Sequence, residues 1–209
     1  MSDTLAIADE SLSARQRHVL DAALALLVEG GDNLTMTGVA RRASCSKETL
    51  YKWFGDRDGL LTATVQWQAA KVRAVPFDRE TLDRPSLTRA LETFANDLLG
   101  VLAGDVSVAL NRLAVTHAGQ EKTDLGRIVL ENGRFTMGRR LKPLLEAARD
   151  KGLLAFSDSE TTFRTYFGLV VRDVQIRMLL GDRMEMTPEI IAADAHRATA
   201  QFLALYGAV

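Results

Sequence analysis

Proline falls only at positions 76, 85, 143 and 188 of 209 residues, and that scarcity constrains the fold more than any other feature. Proline lacks an amide hydrogen and fixes φ, so it interrupts helices and central strands alike. Its rarity leaves long spans open to regular structure. Within those spans apolar residues recur every three or four positions and seldom every second one, which selects helix over strand. The chain is therefore expected to be all-α. Val19, Ala23, Leu26, Leu27 and Gly30 mark a first helix from Ser13, stopped by Gly30-Gly31. Leu87, Leu91, Phe94, Leu98 and Leu102 mark another, with Pro85 in its first turn, and Val106, Leu110, Leu113 and His117 a third. The segment from Glu121 to Lys151 carries Gly126, Gly133, Gly138 and Pro143, which predicts a bend or close packing. Phe163, Phe167, Val170, Val171, Val174 and Met178 stripe a helix that is apolar on nearly all sides. Pro188 opens the last one, with Ile191, Ala195, Ala198, Phe202 and Leu205.

Charge and composition narrow the function. Hydrophobic residues make up 47% of the chain, enough for a substantial core, and 26 Lys and Arg against 27 Asp and Glu leave a formal charge of −1. A near-neutral chain does not hold nucleic acid by bulk charge, which disfavours a non-specific architectural DNA binder. The balance is uneven, however. Residues 1–12, read as a loose acidic tail, sum to −3; residues 13–57 sum to +2; residues 58–209 sum to zero.

Cys45 is the sole cysteine, so no intramolecular disulfide or cysteine metal cluster is available. No uncharged stretch exceeds the 12 residues of Gly59–Ala70, well short of a bilayer span, and the acidic start is unlike a signal peptide. A cytoplasmic protein without a membrane partner is expected. His18, His117 and His196 lie far apart, and no zinc-protease, phosphate-loop or nucleophile-elbow motif is present. No enzyme activity, metal or cofactor is expected; a small helical enzyme built on scattered carboxylates is the alternative. Asp194 and His196 are the one weak metal-like pair.

The segment between Leu34 and Leu60 carries the functional signal. Thr35 can cap a short helix bearing Val39, Ala40 and Ala43; Ser46 can cap a second bearing Leu50, Tyr51 and Phe54; Gly55 ends it, and Asp56 can cap a third that runs from Arg57 to about Val75. Two helices of about eight residues joined at Ser44-Cys45 form a helix-turn-helix. Val39, Ala43, Leu50 and Phe54 lock them together, and Cys45 plugs the turn. Lys47, Glu48, Thr49, Lys52 and Trp53 then face outward from the second helix, whose N-terminal half is the part that enters a major groove.

The run Ser46-Lys-Glu-Thr-Leu-Tyr-Lys-Trp-Phe54, followed by Arg57-Asp-Gly-Leu60, resembles the DNA-binding domain of the TetR family of bacterial regulators. The likeness covers residues 13–61. It departs from the family at Ser44, where glycine is usual and positive φ is anticipated, and at Arg57, where lysine is usual. The resemblance implies that Thr35, Tyr51 and Arg57 contact phosphates, and that Ser46, Lys47, Glu48, Thr49, Lys52 and Trp53 reach bases or adjoining backbone. Lys47 suits guanine or a phosphate, and Glu48 suits cytosine N4. Tyr51 as a core-edge aromatic, Trp53 as interhelical packing and Glu48 as a solvated residue stay open beside those roles.

The resemblance further implies a ligand-responsive regulator, most simply a repressor. It would bind a pseudo-palindromic operator in double-stranded DNA as a homodimer and be released by a small-molecule effector. Its parts would be residues 13–57 as a three-helix DNA-binding domain, 58–84 as connecting helix and joint, and 85–209 as a larger helical ligand-binding and dimerisation domain. Phe94, Leu98, His117, Asn132 and Phe135 are the expected effector contacts. Phe163, Phe167, Val170, Val174, Met178, Ile191, Ala195, Ala198 and Phe202 are the expected dimer interface. Arg172 and Asp173 read as a buried or an interface pair.

Overall fold

The computed structural model describes residues 12–30, 34–116, 118 and 125–208. The acidic N-terminus up to residue 11, Gly31 and His117 lie outside the described residues. The helices are α1 (Ala14–Gly30), α2 (Met36–Arg42), α3 (Lys47–Phe54), α4 (Arg57–Ala70), α5 (Arg84–Leu102), α6 (Asp105–Thr116), α7 (Leu125–Val129), α8 (Phe135–Asp150), α9 (Ser159–Val171), α10 (Val174–Leu179) and α11 (Pro188–Tyr206). Among the described residues the β pairing is limited to one bridge, Leu154 to Gly207.

The caps anticipated from the sequence form. Thr35, Ser46 and Asp56 each accept the amide three residues on, from Gly38 at 3.0 Å, Thr49 at 3.2 Å and Gly59 at 2.8 Å. Asp83 and Ser86 cap α5 reciprocally, with Pro85 in its first turn.

Two helices differ from expectation. α4 stops at Ala70 rather than near Val75. The Val72 carbonyl is taken by Arg140 Nη1 at 2.5 Å, and the residue before Pro76 is biased away from helix. The apolar stripe from Phe163 to Met178 is two helices, because Arg172 adopts φ +44° and ends α9. Arg172 then pairs with Asp194 at 2.6 Å and Asp173 with Arg177 at 3.8 Å, so the two neighbours do not pair with each other. The anticipated bend after Glu121 is a π-helical turn, Leu130–Arg134, between α7 and α8. Gly138 provides the close packing: a Cβ there would lie 3.0 Å from the buried Phe163 ring.

The chain packs as two compact units, exchanging at Lys71, Ala103 and Phe135. The first combines α1–α4 with α6, α7 and the π turn around a core of Val19, Leu20, Leu27, Leu34, Val39, Leu50, Leu60, Leu110 and Ile128. α1 packs on α2, α4 and α6 alike. The second unit holds α5 and α8–α11, with α11 laid against α5 and α9. Its centre is aromatic: Tyr166 lies 4.8 Å from Phe202 and 6.5 Å from Phe94, centroid to centroid. The fully buried Tyr166 hydroxyl donates to the Leu91 carbonyl at 2.7 Å and shares a bond with Thr199 at 2.8 Å; burial pushes this phenol well above its ordinary pKa.

Candidate nucleic-acid interface

Three short segments meet in the first unit to make one exposed helix face. Leu50 is fully buried on α3, with Val39 and Ala43 buried on the α2 side, so apolar contact sets the rotation of α3. With Leu50 inside, Lys47, Glu48, Tyr51 and Lys52 are exposed; Tyr51 retains 53% of its surface. Thr49 is half-buried, its hydroxyl 3.1 Å from that of Ser46. Trp53 is half-buried against the core and stands edge-on to Phe54, centroids 6.2 Å apart. Packing therefore takes part of the Trp53 ring.

The turn between α2 and α3 shows how a non-glycine residue meets the geometry. Ser44 sits at φ +50°, as its position in the motif anticipates. The Ser44 amide bonds the Arg41 carbonyl at 3.3 Å, and the Cys45 amide bonds the Ala40 carbonyl at 2.9 Å. This is the Schellman arrangement, in which the residue after the helix is left-handed and the next one packs back on the last turn. The half-buried Cys45 does so against the core that contains Ala40. Left-handed backbone costs a side chain of order 1 kcal/mol that glycine avoids. Ser44→Gly is accordingly expected to stabilise the protein by up to about 1 kcal/mol, read by urea denaturation. An unchanged midpoint would show that Ser44 is not strained.

Electrostatics divide the cations of this face. Arg42 forms a two-pronged pair with Glu29 at 2.5 and 2.7 Å, so its charge is spent on joining α2 to α1. Arg41, Lys47 and Lys52 stay exposed. The Glu48 carboxyl is held below its ordinary range, first by its own backbone amide and then by the Ser46 hydroxyl, so it presents a carboxylate.

Two arginines act in ways the linear sequence did not reveal. Arg15 on α1 donates from Nη2 to the Ser44 carbonyl at 2.6 Å, and Arg57 on α4 donates from Nε to the Leu34 carbonyl at 2.9 Å. Partners 29 and 23 residues away leave no local signature.

Residues expected at an effector site are not gathered within one unit. Phe94 and Leu98 are buried on α5 in the second unit, while Asn132 and Phe135 belong to the first. Asn132 accepts from Gln66 at 3.0 Å and donates to the Ile128 carbonyl at 3.0 Å; Phe135 is 51% exposed. On α4, Gln68 is a polar residue that periodicity hides. It is buried and donates to Ser107 Oγ at 3.3 Å, and its Oε1 finds no hydrogen-bond partner among the described residues. Among the described residues no group of His, Cys, Asp and Glu is arranged to hold a metal, and no single helix is long and apolar enough to cross a membrane. His196 bonds Glu92 at 2.7 Å, and Asp194 is held by Arg172 and Arg197.

The expected interface residues Phe163, Val170, Val174, Ala195, Ala198 and Phe202 are 0–2% exposed within the single chain, and Ile191 is 9% exposed. They build the core of their own unit. Phe167 and Met178 are half-buried.

Residues 19–64 match the model of bacterial regulatory proteins of the tetR family, and residues 89–208 match the C-terminal domain of AefR-like transcriptional repressors. The chain belongs to the TetR family. This TetR-family protein is a DNA-binding transcriptional regulator and not an enzyme. A TetR regulator from Agrobacterium tumefaciens is 50% identical, with a TM-score of 0.80 over 94% of this chain and 96% of that one. The flavonoid-responsive regulator FrrA is 26% identical, with a TM-score of 0.67 over 92% and 97%. The regulator AqdR of Rhodococcus erythropolis is 28% identical over 157 residues, 74% of this chain and 72% of its own.

Proposed function

We propose that this TetR-family chain represses transcription in the cytoplasm, as a homodimer on a pseudo-palindromic operator, and is released by a small molecule. The observation that carries the reading is α3 itself. It is capped by Ser46, anchored by Leu50, and displays Lys47, Glu48, Tyr51 and Lys52 on one exposed face. Thr35 accepts its cap bond through oxygen, which leaves its hydroxyl proton able to point to a phosphate beside the helix N-terminus. Lys47 and Glu48 reach base edges, Tyr51 and Lys52 the backbone, Thr49 the groove wall, and the exposed edge of Trp53 the sugar-phosphate rim.

For the dimer, Ile176, Leu180, Ile190 and Leu205 supply exposed apolar surface on or beside α10 and α11, at 53%, 81%, 39% and 65% exposure. For the effector, Gln68 Oε1 is a buried acceptor worth about 1–3 kcal/mol to a hydrogen-bond donor that reaches it. A mostly apolar molecule bearing a hydroxyl or N–H group fits that chemistry. A hydroxylated flavonoid is the first probe, given the likeness to FrrA. α4 is the proposed lever: the residues that follow it are pinned by Arg140 on Val72 and by Arg73 on Asp97 at 3.0 Å.

Footprinting on the DNA upstream of the protein's own gene tests the reading. Protection is expected on two half-sites about 34–36 Å apart, one helical turn, by a species that sediments as a dimer at micromolar concentration. Protection of a single half-site, or a monomer in sedimentation, would refute it.

A further inference from the structure

The geometry points to Arg57 as a positioning residue of the DNA interface: it sets the N-terminus of α2 by holding the Leu34 carbonyl and does not act as a phosphate contact. Leu34 immediately precedes the α2 cap Thr35, and its side chain is 1% exposed in the core of the first unit. The carbonyl is fixed from the other side by Arg57 Nε at 2.9 Å, in a part-buried bond. Arg57 also lies 3.7 Å from Asp58, so a carboxylate stands beside its guanidinium. With both ends of Leu34 held, the Thr35 hydroxyl and the first amides of α2 have one place to be. Arg15 makes the matching hold on Ser44, two residues before the α3 cap Ser46. Each helix of the motif thus begins beside a carbonyl clamped by an arginine from a flanking helix.

This inference rests on α2 and α3 being the DNA-contacting helices, and one substitution that keeps a nitrogen at the Nε position separates the two. The donor to Leu34 is Nε, and the side-chain nitrogen of glutamine sits at the same distance along the chain. Arg57→Gln therefore keeps the bond and removes the charge, while Arg57→Met removes both. Affinity for the footprinted upstream fragment, measured at several salt concentrations, reads the difference. Removing one phosphate-binding cation from each protomer lowers the slope of log K against log salt by roughly 2.

Expected for Arg57→Gln is affinity within about threefold of the parent and a parallel slope; expected for Arg57→Met is a loss of about tenfold, also with a parallel slope. Lys52→Ala, as the comparison, lowers both affinity and slope. A reduced slope in both Arg57 variants would overturn the assignment in favour of a phosphate contact. Equal losses in the two with a parallel slope, or no change in either, would overturn it as well. If Arg57→Met fails to fold, Arg57→Gln decides alone, since kept affinity without the charge excludes the phosphate role and lost affinity refutes the brace. If Lys47→Ala and Lys52→Ala leave binding untouched, the assignment of α3 fails, and the inference with it.

Discussion

Lys47→Glu is expected to reduce operator affinity by at least about a hundredfold while leaving thermal stability nearly unchanged. Lys47 is the first residue of α3 and is exposed, so no packing depends on it. A base or phosphate contact is worth about 1–3 kcal/mol, and a homodimer gives it up twice, which already corresponds to a factor of roughly 30 or more. The new carboxylate, beside the existing Glu48, adds repulsion from the phosphates. The measurement is fluorescence anisotropy with the footprinted fragment at fixed salt, alongside a thermal melt. A change below about threefold would remove Lys47 from the interface.

Leu50→Ala is the opposite case on the same helix. Leu50 is fully buried, and its side chain is what turns the outer face of α3 toward solvent. Truncating a buried leucine costs about 2–5 kcal/mol, because a cavity is left along with the lost burial. At roughly 2–4 °C per kcal/mol, the melting transition should fall by about 4–20 °C. DNA binding should fall with it at temperatures where the parent still binds, and recover on cooling. A midpoint shift under about 2 °C would mean that α3 is oriented by something other than this packing. Lys47→Glu and Leu50→Ala thus separate the group that touches DNA from the platform that presents it.

What could be read in advance follows the range of the forces concerned. The caps at Thr35, Ser46 and Asp56, the left-handed Ser44 and the outward set on α3 are decided by residues within four positions of one another. The second half was less legible. Phe163, Val170 and Phe202 are apolar stripes that serve equally well in a chain's own core or between chains, and periodicity cannot tell these apart. Nor does periodicity foresee a break at Arg172, which adopts φ +44° and ends α9.

The amino-acid order by itself determined an all-helical chain, its helix-turn-helix and a head of residues 13–57 at +2, masked by a tail at −3. Only the tertiary structure decided that α6 and α7 pack into the same unit as that head, that Arg57 holds Leu34, and that a buried Gln68 oxygen faces no donor among the described residues. The physical reason is range. Capping and periodicity act over one or two turns and are written locally, whereas a carbonyl's partner 23 or 29 residues away exists only once the core has brought the helices together.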